Sequence, residues 1–148
     1  MIETHDGVRA LNIAGGLSAA VAALHAAIAL IGARAYRYFG AGERMARLAE
    51  RGSLWPTAVT LLLTLIFALW AAYAFSGADR IGRLPALKTS LVLIGAVYTL
   101  RGLVLMPQIA LFLGGAGTVP PRHLFFSAAS LLIGLLYLFG TYRAWPRL

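Results

Sequence analysis

The chain has 148 residues, of which 60% are hydrophobic and 12% charged; a soluble domain has about 45–50% apolar and about 25% charged residues. No cysteine is present, which excludes disulfides, thiolate metal sites and cysteine nucleophiles. The net charge of +8 comes from twelve Arg and one Lys, set mostly between apolar segments, so lipid headgroups rather than nucleic acid are the expected counter-charge.

A membrane-crossing helix needs about 20 apolar residues, and four stretches supply them. The first, residues 10–33, holds no Asp, Glu, Lys or Arg. Glu3 and Asp6 and the length of the apolar run argue against a cleaved signal peptide, so it reads as a retained helix. Gly15, Ala19, Ala23 and Ala27 recur every four residues and form a small-residue ridge suited to close helix approach, which makes it the candidate surface for a homo-oligomer. A second face carries Ser18, Ala22, His25, Ala29 and Gly32. Residues 34–53 form an Arg-rich loop in which "GERMARLAER" (42–51) predicts a short helix, either solvated or lying on headgroups. Glu43 and Arg47 stand four apart there, a favourable helical pair.

The second span covers residues 54–78 and carries Thr57, Thr60 and Thr64 on one face. "SGADRIGRLP" (76–85) is a polar turn. The third span, 89–113, is interrupted by Arg101, and Ile94, Tyr98, Arg101, Leu105 and Gln108 share its face. "GGAGTVPPRH" (114–123) is a Gly/Pro loop. The fourth span, 124–142, aligns Ser127, Ser130, Gly134, Tyr137 and Thr141. The plain reading of these hydroxyls is bonding to their own helix backbone. Trp55, Trp70, Tyr73, Tyr137, Tyr142 and Trp145 are expected at or near the headgroup level. The fold class is therefore all-α, an integral membrane four-helix bundle in a single domain. Six basic residues fall on each side of four spans, so the positive-inside rule does not orient the chain. A bacterial inner membrane with both termini inside is the expectation.

Arg101 is the feature needing an explanation, because a charge at mid-bilayer costs about 2.5–3.5 kcal/mol and no acid lies in any span. Three answers compete. Pro107 ends the third helix near Met106, so that Arg101 lies close enough to the surface to snorkel; Glu43 or Glu50 folds inward to pair with it; or its partner is a bound anion, with Tyr98, Gln108 and His25 completing a polar pocket. His25 alone reads first as a packing residue, since a metal site needs several ligands. No metal or cofactor is expected, and no span holds the acid that a proton relay or a Ser-His-acid triad would use.

The runs "HAAIALIGARAYRYFGAGERMARLAERGS" and "YTLRGL" resemble small four-span bacterial membrane proteins of unassigned function, over about residues 25–102. That resemblance implies a helical membrane protein. A second likeness is to the membrane glutathione and eicosanoid enzymes: Glu43, Arg44 and Arg47 are spaced like part of their Glu-Arg-x-x-Arg motif, while Leu48 and Arg51 stand where that motif continues with Ala and Asn. The leading expectation is a protein that binds a lipid or amphipathic anion near Arg101, Tyr98 and His25, edged by Glu43 and Arg37, with Gln108 below. The alternatives are a membrane enzyme acting on lipid or glutathione-type substrates and a small oligomeric transporter.

Overall fold

A computed structural model describes residues 2–114 and 120–148, with side chains from residue 5 onward. Among these the chain is all-helical: α1 (Ile2–Ile31), α2 (Ala33–Phe39), α3 (Glu43–Glu50), α4 (Trp55–Gly77), α5 (Leu87–Leu103), α6 (Leu105–Leu113) and α7 (Pro121–Ala144). Four stretches are long and apolar enough to cross a membrane: His5–Ile31, Trp55–Gly77, Leu87–Leu113 and Pro121–Ala144. These are the four expected spans with adjusted ends. α1 begins well before residue 10, because helical hydrogen bonding continues through polar residues that end an apolar count.

Two local differences matter. The Arg-rich loop holds two helices, not one, with α2 added ahead of the expected α3. Gly32 (φ 78°) turns the chain out of α1, and Gly40 (φ 82°) closes α2 in the left-handed region, which glycine takes without steric cost. In the third span the ladder breaks at Val104, not after Met106. Pro107 does not end the helix; it occupies the first turn of α6. It has no N–H to offer the Leu103 carbonyl, and its ring crowds that group, so α5 stops at Leu103 and the helix restarts at once. Residues 107–113 are thus helical, and of the expected Gly/Pro loop 114–123, residues 115–119 lie outside the described residues.

The chain divides into two compact units, residues 1–17 with 70–148 and residues 18–69. In the first unit, segments of all four spans form a helix bundle closed by small residues. α5 and α7 meet where a Cβ on Gly102 would lie 2.5 Å from the Leu131 backbone, and one on Gly95 would lie 2.8 Å from Leu138. Gly7 approaches Ala144, Gly15 faces the Phe75 ring, and Gly77 meets Leu91 and Leu11. Leu11, Ala74, Leu91 and Tyr137 are fully buried in the middle of this packing. The turn after α4 is tied by Ser76, whose Oγ donates to the Gly82 carbonyl and accepts from the Leu84 amide, both at 3.0 Å.

In the second unit, α3 lays one face on α2 and the end of α1. Ile28, Ala35, Tyr36 and Ala46 form its buried centre, with Leu24, Phe39 and Met45 packed around them. Thr60 Oγ1 donates to the Pro56 carbonyl at 2.8 Å and lies 3.4 Å from the Tyr36 hydroxyl.

Candidate functional site

Arg101 stands in the last turn of α5, near the middle of the Leu87–Leu113 span. At about 1.5 Å per residue it lies roughly 21 Å along the helix from Leu87 and roughly 18 Å from Leu113. Its side chain is exposed on the first unit. One guanidinium nitrogen donates to Ser127 Oγ at 3.3 Å, and Ser127 Oγ donates in turn to Gln108 Oε1 at 2.8 Å. Ser127 itself is fully buried. Arg101 and Gln108 are two helical turns apart and flank the Val104 break, so the two side chains reach toward each other and meet on one hydroxyl of α7. Among the described residues no carboxylate pairs with Arg101.

Tyr98, one turn before Arg101, is 4% exposed. Its ring stacks on Tyr137 at 5.9 Å and meets Trp70 edge-on at 5.1 Å. Tyr137 is fully buried, and its hydroxyl donates to the Trp70 carbonyl at 2.8 Å. This α4 carbonyl accepts a hydrogen bond from another helix, an arrangement that hydropathy does not encode. Trp55, Tyr142 and Trp145 remain exposed near helix ends.

The other expected site residues belong to the second unit. His25 is half-buried; its Nδ1 lies 2.8 Å from the Val21 carbonyl one turn back, and its ring is 4.8 Å from Phe67. Arg37 is the centre of an ion cluster. It binds Glu43 through Nε and Nη2, both at 3.0 Å, and Glu50 through Nη1 at 2.6 Å and Nη2 at 3.0 Å. Arg47 joins Glu43 at 3.4 Å, the helical pair the spacing predicts. Hydrogen bonds from Arg37 hold both glutamate carboxyls below the ordinary value of 4.5, and the two carboxylates raise the Arg37 guanidinium further. The two carboxylates considered as partners for Arg101 are therefore engaged by Arg37. Glu43 and Glu50 are seven apart on one face of α3, but that spacing does not name Arg37, on another helix, as their shared cation.

The hydroxyl stripes mostly serve their own helices: Thr64 donates to Thr60 and Thr141 to Tyr137, in each case to the carbonyl four residues back. Ser127 instead bonds across helices, and its place on a stripe gave no hint that it joins Arg101 to Gln108. In the α1 ridge, Gly15 is taken up by Phe75 and Ala74 within the chain, while Ala19 and Ala23 stay exposed. A cavity of about 200 Å³ also opens in the first unit between Ser76, Asp79, Arg83, Leu87 and Arg147. Arg147 is joined to Asp79 there at 3.0 Å. No protein-family description, curated protein or solved structure matches the chain.

Proposed function

We propose that this chain is a multi-pass protein of a bacterial inner membrane, akin to the small four-span proteins its sequence resembles. In this reading it binds the anionic head of a lipid or of another amphipathic molecule at Arg101. The observation that carries the reading is the state of that guanidinium. It is exposed midway along an apolar span, and its one hydrogen-bond partner among the described residues is the neutral Ser127 hydroxyl. The remaining guanidinium N–H groups suit a bidentate phosphate or carboxylate. A bound anion would offset the cost of placing the charge in hydrocarbon. Val97, Leu100 and Val104, exposed beside it at 49%, 66% and 45%, offer an apolar track for an acyl chain. Gln108 holds the Ser127 acceptor in place from the far side of the helix break.

Native mass spectrometry of the detergent-solubilised chain with added phosphatidylglycerol tests the reading. The expected result is one fewer tightly held lipid in Arg101→Ala than in the unchanged chain, with partial retention in Arg101→Lys, which keeps the charge but loses the fork. Equal lipid counts in the unchanged chain and Arg101→Ala would refute it.

A further inference from the structure

The α2–α3 hairpin carries a charge separation that the Arg101 reading does not use. Residues 34–51 contain five arginines and two glutamates. Arg37 gathers both glutamates, and Arg47 shares Glu43. Arg34, Arg44 and Arg51 are left exposed, with no hydrogen bond or ion pair among the described residues. Arg44 stands in the first turn of α3 and Arg51 caps its C-terminal end. One face of α3 is committed, because Ala46 is fully buried and Met45 and Ala49 pack on the Ile28–Tyr36 centre. The helix therefore cannot roll to hide its arginines.

Exposed apolar residues stand directly beside these cations. Leu30 and Ile31, 88% and 61% exposed, end α1 one turn from Arg34; Leu54 and Trp55, 80% and 63% exposed, follow one turn after Arg51. Tyr38 adds a ring at 57%. At both ends of the hairpin, apolar surface thus passes to unpaired guanidinium within about one helical turn. A nucleic acid would satisfy the charge and leave the apolar rim in water. A phospholipid interface takes both, with phosphate for the arginines and the headgroup–acyl boundary for Trp55 and Leu54.

We propose that the α2–α3 hairpin is a docking surface for anionic phospholipid headgroups, with Arg34, Arg44 and Arg51 on the phosphates and Trp55 and Tyr38 at the acyl boundary. The Arg37 clamp contributes by holding Glu43 and Glu50 away from the arriving phosphates.

Brominated-lipid quenching of Trp55 tests this in the full chain carrying Trp70→Phe and Trp145→Phe, so that Trp55 is the one fluorophore. The protein is reconstituted in phosphatidylcholine vesicles containing brominated phosphatidylglycerol, and separately with brominated phosphatidylcholine as reference. The expected preference for phosphatidylglycerol beside Trp55 is about threefold or more, since each basic residue near the surface adds favourable attraction. It falls toward unity in R34Q/R44Q/R51Q and at about 1 M salt, where the Debye length is about 3 Å. It is unchanged in Arg101→Ala, which separates this surface from the Arg101 site. Absence of a preference at low salt overturns the proposal, as does a preference retained in the triple variant. Should that variant fail to reconstitute, the salt series on the Trp55-only chain decides: a preference unmoved by salt overturns it, and its loss supports it.

Discussion

Arg37 and Arg101 carry the same guanidinium into opposite settings. Arg37 meets two carboxylates through four hydrogen bonds, while Arg101 meets one hydroxyl in the middle of an apolar span. Side-chain identity did not distinguish them; the neighbours did. Gly102 illustrates the same point without charge. It sits one residue from Arg101, and a Cβ there would fall 2.5 Å from the Leu131 backbone nitrogen and Cα. Backbone cannot swing aside as a flexible side chain can, so the added methyl must push α5 from α7. Gly102→Ala is expected to lower stability by about 1–3 kcal/mol, the usual cost of overpacking, read as an earlier transition in reversible unfolding by SDS in mixed micelles. Gly16, which has nothing within 4 Å of the position a Cβ would take, is the control, and Gly16→Ala is expected to leave that transition in place or raise it slightly.

Among the elements, the α2–α3 hairpin is held by a cluster of ionisable groups. Both glutamate carboxyls sit below their ordinary value of 4.5 because Arg37 donates to them. A group whose pKa is lower folded than unfolded contributes stability that is complete above the unfolded value and disappears as pH falls through the folded one. The hairpin therefore keeps this contribution at neutral pH and loses it progressively below 4.5. Hydrogen exchange of α3 amides, corrected for intrinsic rates, is expected to be faster at about pH 3 than at about pH 6 in the unchanged chain. In E43Q/E50Q the pH difference is expected to shrink, and persistence of the full difference would show that other groups control the hairpin. The existence of α3 was legible from "GERMARLAER", where the Glu43–Arg47 spacing and the separated apolar and basic faces both favour helix. α2 was not, because its seven residues are too few to show a period and its ends are set by Gly32 and Gly40 turning left-handed. The split of the third span was half legible. Pro107 announced a fault, but the fault falls on the N-terminal side of the proline, where the missing N–H and the ring act on residue 103.

For the molecule as a whole, four spans require that residue 45, between the first and second, and residue 148, after the fourth, lie on opposite sides of a membrane. Paired reporter fusions at these positions, active in the cytoplasm or in the periplasm respectively, are expected to give opposite outcomes. The same outcome at both sites would mean that one apolar helix does not cross. Six basic residues on each side leave the direction open, while apolar length alone gives four helices long enough to cross.

The sequence by itself determined the class of this protein: all-helical, with four apolar helices of membrane-crossing length, an Arg-rich connection and one charge inside a span. These are properties of composition and of local period, which each segment carries without reference to any other. Tertiary structure alone decided which side chains meet. It joined Arg101 and Gln108 through Ser127, enclosed Tyr98 between Trp70 and Tyr137, and gave Glu43 and Glu50 to Arg37. Such contacts depend on the register between helices, and that register is set by where glycine lets two backbones approach, information distributed over several helices and absent from any one of them.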